Sequence, residues 1–484
     1  MVTVRQDRTL PATLVRLRQN VTATEYEGAV ALIGPRGASQ RMEHTPGLVA
    51  AIEVLATHGA SESQLGAIFV HHDGPEALAR LYHYLRIWGE RALLRYTLVV
   101  GGAPLTEIEP MVAGPRLDLA PAPAESRFLM SRFTHCRWSS DGMILESPVS
   151  TVRVTIAGPT GAALLATLAQ PASGADIRRT AASVGYSLSD EAAAAFLGML
   201  VAAGMIGEVD DAGQLSEDRD PTLVQWEPHD LWFHTRTRRG RHDAESGATY
   251  RFVGSIPPQP ALKPPMPGLY VPLDAPDIDH LRRDDISLTT ALEDRRSLRT
   301  YGSAPITLGQ LSELLYRTAR VRKIGPVPRD GEHYQMSDRP YPSGGAVYDL
   351  ELYVAVNGCA GLDTGLYHYD PAQHALTRIA DLDDRVEELL RDAEGAASLA
   401  CRPQVLLVIA SRFQRVSWKY SGSAYALTLK NAGVLCQNLY LVATAMGLAA
   451  CAVGNGNAHL FAQAAGLDYL VESSVAEFLL GSAP

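Results

Sequence analysis

Cysteine is scarce in this chain. Cys136, Cys359, Cys401, Cys436 and Cys451 are scattered through 484 residues without C-x-x-C spacing. That pattern excludes a disulfide framework or a cysteine-rich zinc site and suits buried free thiols in a reducing compartment. Long apolar runs are also missing: nowhere do about 18 apolar residues follow one another. Residues 1–20 mix Arg and Gln into every turn and have no apolar signal core, so a cytoplasmic protein without membrane contact is expected. Nor do cations predominate, with 43 Lys and Arg against 53 Asp and Glu, a formal net charge of -10 and a pI of about 5.8. A broad surface for nucleic acid or acidic lipid is thereby excluded, while a local basic pocket stays open. What is present is 46% hydrophobic and 20% charged content, enough for large cores in two to four globular domains.

Residues 10–113 read as short strands and helices without a glycine-rich phosphate motif. A helix over 75–88 leads into a strand over 93–100, closed by Gly101-Gly102. After the linker-like Ala120-Pro121-Ala122-Pro123, strands over 128–138, 143–146 and 152–156 surround the turn Ser140-Asp141-Gly142. Helices over 161–169, 175–184 and 190–203 then lead to 204–209, which resembles the wing of a winged helix. The helix over 190–203 would be the recognition helix, yet it carries Asp190 and Glu191 and no cation. Affinity for DNA depends on neutralising phosphates, so a nucleic-acid partner is excluded. Structural padding and a peptide clamp remain, the latter because the edge of a winged-helix sheet can accept an extended peptide as an added strand.

The middle of the chain carries His229, His234 and His242 at spacings that fit no standard metal motif, so structural roles are preferred and no metal is expected. Residues 256–267 hold six prolines in twelve residues. Such a stretch forms neither helix nor central strand and is expected to run extended over the surface and join the halves, with the principal boundary near residue 250. The expected domains are 1–118 and 125–220, a connecting segment 221–275, and 276–484.

In that last domain the stretch Arg295-Arg296-Ser297-Leu298-Arg299 follows a helix over 287–294. Three guanidiniums so close together repel one another and call for an anion. Thr307 and Gln310 make a capping box for a helix whose Leu308, Leu311, Leu314 and Leu315 face a core. Pro342-Ser343-Gly344-Gly345 is a turn that lets main chain approach a flat ligand, although such turns are also ordinary loop chemistry. It precedes a strand over 350–356; further strands are expected over 365–370 and 405–410. A helix over 424–446 is apolar nearly all round and should be buried centrally. A buried strand over 449–453 runs into Gly454-Asn455-Gly456.

These motifs resemble the FMN-dependent nitroreductase fold: the arginine cluster after a helix, the Pro-Ser-Gly-Gly turn before a strand, and the long helix leading to Val453-Gly454. More narrowly, residues 341–356, Lys419-Tyr420 and residues 431–441 resemble the SagB-type azoline dehydrogenases, which include the cyanobactin oxidases. The resemblance covers most of the chain and is specific from about Trp226 onward. It implies an α+β fold with a nitroreductase-like domain behind two winged-helix, peptide-clamp modules. It also implies oxidation of thiazoline or oxazoline rings to thiazole or oxazole in a ribosomally made precursor peptide, with FMN reduced.

By the same resemblance, Arg295, Arg296, Ser297 and Arg299 hold the FMN phosphate and ribityl chain. Pro342, Ser343, Gly344 and Gly345 lie beside the flavin ring, and Val453 and Gly454 near its other edge, at a homodimer interface. Members often end in a Gly-Arg-Pro-like tail, for which Gly481-Ser482-Ala483-Pro484 offers no counterpart. Lys419 and Tyr420 are the implied catalytic pair. A lysine acts as a base only if burial or nearby cations lower its pKa. Both side chains reach one cleft only if residues 418–423 form an irregular loop. A cyclodehydratase is a further implied partner. The competing readings are a flavin reductase acting on free nitro compounds or quinones, and a non-catalytic scaffold docking the precursor peptide.

Overall fold

The computed structural model describes residues 11–484 except 35, 36, 38, 141 and 327–333. The N-terminal stretch up to Leu10 and Asp141 of the expected turn therefore lie outside the described residues. The chain divides into two compact units, Met1–Ala244 and Glu245–Pro484.

In the first unit one antiparallel six-stranded sheet runs in the spatial order Ala12–Leu17, Leu94–Val100, Ala103–Pro110, Val152–Ile156, Gly142–Glu146, His135–Ser139. Strand Ala103–Pro110 pairs with Val152–Ile156, so the two winged-helix-like halves share one sheet and one core. Small caps set the helix starts. Ser61 and Gln64 form a capping box before Glu62–Asp73, Ser173 and Asp176 one before Gly174–Ser183, and Ser189 caps Asp190–Ala202. Trp88, Phe69, Phe133 and Phe196 fill the interior. The end of the unit is clipped by Asp243, which accepts from buried Arg18 at 2.5 Å and from Arg153 at 2.7 Å. Burial alone would raise the Asp243 pKa, but these two guanidiniums outweigh it and hold the carboxyl below its ordinary value.

The second unit is built on an antiparallel seven-stranded sheet in the order Leu269–Pro272, Ala375–Ala380, Gly365–Asp370, Leu350–Val356, Val405–Arg412, Glu472–Ser482, Leu448–Val453. Strand alternation sorts its core onto two faces. Leu350, Leu352, Val354, Val405, Leu407 and Ile409 pack on the side of helices Leu308–Ala319 and Ala424–Ala445. Tyr353, Ala355, Leu406 and Val408 pack on the side of Asp384–Ala397 and Ala458–Ala464.

Three expectations are corrected. The long helix Ala424–Ala445 buries one stripe, Thr428, Asn431, Ala432, Leu435, Leu439 and Ala443. Leu429 and Val434 on its other side stay 38% and 37% exposed, because the sheet covers only one face of a helix. The proline-rich segment runs without helix or strand along the surface, as expected, but it belongs to the second unit and does not join the halves. Proline removes N–H donors but keeps carbonyls, and those of Ile256, Gln259 and Pro260 accept from Trp418, Arg415 and Arg412. The five thiols are free, but Cys136 and Cys401 are exposed, Cys136 on an edge strand and Cys401 in the loop before Val405–Arg412.

The capping box is formed: Thr307 Oγ1 accepts from the Gln310 N–H at 3.2 Å and Gln310 Oε1 from the Thr307 N–H at 3.0 Å. Thr307→Ala is expected to cost about 1 kcal/mol. Amide hydrogen exchange should then quicken at the first turn of Leu308–Ala319 while the first unit stays unchanged.

Candidate functional site

Strand Leu350–Val356 is entered through a tight turn whose hub is Asp349, fully buried. Its carboxylate accepts from Ser411 Oγ at 2.7 Å, Thr428 Oγ1 at 3.0 Å and Asn431 Nδ2 at 2.8 Å. Asn431 Oδ1 in turn accepts from the Gly344 N–H at 2.9 Å. A central strand, the long helix and the glycine turn are thereby tied together. Within the turn Gly345, Ala346 and Tyr348 all have positive φ, at 63°, 53° and 46°. Two of them are non-glycine residues in a region that costs of order 1 kcal/mol each.

Lys419 and Tyr420 converge on this turn. The short helix Phe413–Ser417 ends before them, and Tyr420–Ser421 pairs with Gly247–Ala248, so the two side chains do not alternate as in a regular strand. A Cβ added at Gly345 would collide with the Tyr420 hydroxyl and lie 2.8 Å from Lys419 Nζ. Lys419 is 9% exposed. Its ammonium donates to Tyr334 Oη at 2.6 Å and to the Gly345 carbonyl at 3.1 Å, and has no carboxylate partner among the described residues. Tyr334 Oη donates to the same carbonyl. Burial first, and then the nearby Arg415 guanidinium, lower the Lys419 pKa. Burial, then Tyr250, raises that of Tyr420.

The arginine segment docks at the other end of the long helix. Arg295 lies over the Tyr440 ring at 5.2 Å, Ser297 Oγ is 2.8 Å from Tyr440 Oη, and Tyr440 Oη accepts from the Ala452 N–H at 2.7 Å. The Leu298 N–H donates to the Ala450 carbonyl at 2.9 Å, along the open edge of Leu448–Val453. Arg296 and Arg299 are exposed, and none of the three arginines is ion-paired among the described residues. Val453 ends that edge strand, and Gly454 beyond it faces open space. Pro342 is exposed and Ser343 Oγ accepts from the Tyr348 N–H at 3.0 Å. Asn431 and Tyr440 are nine residues apart on one helix, about 13 Å at its rise per residue. The glycine turn and the arginine segment thus flank a stretch suited to an elongated, anionic, partly planar ligand. Among the described residues no group of three or more His, Cys, Asp or Glu gathers as metal ligands.

Sequence reasoning assigned no role to Asp349, Tyr334, Arg415 or Tyr440. An acidic residue at the mouth of a mostly apolar strand was a usable sign for Asp349; nothing local marks Tyr334, which lies 85 residues from Lys419 in the chain.

Comparison with known proteins follows the same division. The helix-turn-helix domain of the cyanobactin oxidase ThcOx matches residues 16–119, cyanobactin oxidase ThcOx itself residues 128–243, and the nitroreductase family residues 292–481. A protein described as putative nitroreductase MJ1384 of Methanocaldococcus jannaschii is 33% identical over 183 residues, 38% of this chain and 83% of that one. The microcin B17-processing protein McbC of Escherichia coli is 35% identical over 117 residues, 23% of this chain and 42% of that protein, so the match spans about two-fifths of its length. A chain from the structure of the E. coli microcin synthetase McbBCD complex with truncated pro-MccB17 aligns at 19% identity and a TM-score of 0.33, covering 57% of this chain and 100% of that one. The chain belongs to the nitroreductase family and is an oxidoreductase. Members of this family use flavin. Among the described residues no helix is long and apolar enough to cross a membrane.

Gly345→Ala should be poorly tolerated, since the left-handed conformation costs an L-residue about 1–2 kcal/mol and the new methyl displaces Tyr420. Gly395→Ala, in a helix with open space around it, is the control. A drop in thermal midpoint for Gly345→Ala alone, with Tyr420 moved in its structure, is the expected result.

Proposed function

We propose that the protein oxidises thiazoline or oxazoline rings of a ribosomally made precursor peptide to thiazole or oxazole, with FMN as its flavin and Lys419 as the base. The observation that carries this reading is the meeting of Lys419 and Tyr420 at Gly345 with no carboxylate partner for the lysine among the described residues. Aromatising an azoline removes a proton from one ring carbon and a hydride equivalent from its neighbour. FMN, when bound, supplies the two-electron acceptor for the hydride equivalent.

The residues present fit that cofactor. Arg295, Arg296 and Arg299 have unspent guanidinium donors for a phosphate, and Ser297 adds a hydroxyl. Gly344 and Gly345 would let main chain approach a flat ring, and Val453 and Gly454 would border it from the open strand edge. Lys419 in its amine form takes the ring proton, and Tyr420 orients the ring or relays that proton. The exposed strip of Leu429 and Val434 on the long helix, with Leu288 and Leu292 at 67% and 49% exposure on Leu288–Asp294, supports a homodimer across this face. The exposed edge strands Thr22–Tyr26 and His135–Ser139 suit capture of an extended peptide by the first unit. A cyclodehydratase that forms the azolines is the corresponding partner.

Lys419→Ala should keep its flavin and lose azole formation, read by mass spectrometry as the loss of two hydrogens per ring; an undiminished mass change would remove Lys419 from the base role. Arg295→Ala should purify with less flavin, read from the visible absorbance per protein. Full flavin content in that variant would move the phosphate elsewhere.

A further inference from the structure

Arg415 is one of the most enclosed charges in the second unit, 2% exposed. Its guanidinium donates to three main-chain carbonyls, Val347 at 2.6 Å, Gln259 at 2.8 Å and Gln335 at 2.6 Å. No carboxylate pairs with it among the described residues. Buried arginines are ordinarily paired, because carbonyl dipoles solvate a cation without neutralising it. The neighbouring Arg412 is different: it reaches Glu351. Arg415 thus makes no ion pair among the described residues; the Asp349 carboxylate acts on it only through space, against the cations Arg412 and Arg339, and the ring of Tyr334 lies 5.4 Å from the guanidinium carbon to the centroid.

Lys419 Nζ lies 4.6 Å from the centroid of the same ring. One tyrosine thus stands in contact with both cations, which can be no more than about 10 Å apart. The groups facing Lys419 from every element around it are Tyr250 at 5.6 Å, Tyr334 at 4.6 Å, Tyr420 at 5.4 Å, the Gly345 carbonyl and Arg415. None is an anion. Three tyrosine faces favour the ammonium by cation–π attraction. Burial and the second cation oppose it, and both lower the lysine's pKa. At a protein-like dielectric a unit charge about 10 Å away shifts an amine's titration by about one unit.

We propose that Arg415 is a positioning residue whose guanidinium, fixed by main-chain carbonyls one tyrosine ring from Lys419, keeps that lysine free of a proton and available as a base. The proposal rests on the base reading of Lys419. It also accounts for the proline-rich segment, since the Gln259 carbonyl is one of the three that hold the cation without cancelling it.

The experiment titrates Lys419 directly in the full-length protein, by the pH dependence of its labelling with an amine-reactive anhydride read by peptide mass spectrometry. Wild type, Arg415→Lys and Arg415→Gln are compared, and azole formation is followed over the same pH range. Arg415→Gln should move the labelling midpoint up by about one unit and slow azole formation on the acid limb about tenfold, while Arg415→Lys keeps the wild-type midpoint. An unchanged midpoint in folded Arg415→Gln overturns the proposal. If that variant does not fold, a wild-type midpoint at the ordinary lysine value does so equally. Failure of the base reading is separately visible, as azole formation that survives Lys419→Ala.

Discussion

The second unit depends on a buried carboxylate that makes no ion pair among the described residues. Asp349 accepts from Ser411 on a central strand and from Thr428 and Asn431 on the long helix, and Asn431 passes the constraint to the main chain of Gly344. Each hydrogen bond to a charged acceptor is worth about 1.5–3 kcal/mol, and removing any donor leaves a buried acceptor short. The strained φ values of Ala346 and Tyr348 persist because this network over-determines the turn. Sheet, helix and site are held at one point.

Around that point charge is distributed unevenly. Glu351 is matched by His368 and Arg412 and stays ionised, its pKa lowered to about 2 because these partners outweigh burial. Arg415 and Lys419 are unmatched: burial first pushes the Arg415 pKa down to about 10, and the Lys419 pKa falls as well. Uncompensated cations are costly inside a protein. Both lie beside the glycine turn, which fits a site where a base must stay unprotonated.

Much of this fold was legible in the sequence. The apolar run over 350–356, the Thr307/Gln310 capping box and the strand over 152–156 rest on local composition and local hydrogen bonds, and those elements formed with those bounds or nearly so. The long helix was legible as a helix but not as a half-exposed one, because apolar residues all round its surface do not say which face the sheet will cover. The proline-rich segment misled for a similar reason. Its lack of donors is a local property, whereas the use of its carbonyls depends on arginines about 150 residues away.

Residue types at short spacing were determined by the sequence alone: three arginines and a serine after a helix, two glycines in a turn, a lysine beside a tyrosine. Those patterns, with the family they resemble, were enough for the fold and the class of reaction. Tertiary structure alone decided which groups share a site. Tyr334 reaches Lys419 across 85 residues, Asn431 reaches Gly344 across 87, and Ser297 reaches Tyr440 across 143. Such contacts leave no periodic trace, because they are set by how strands and helices pack and not by the repeat within any one of them.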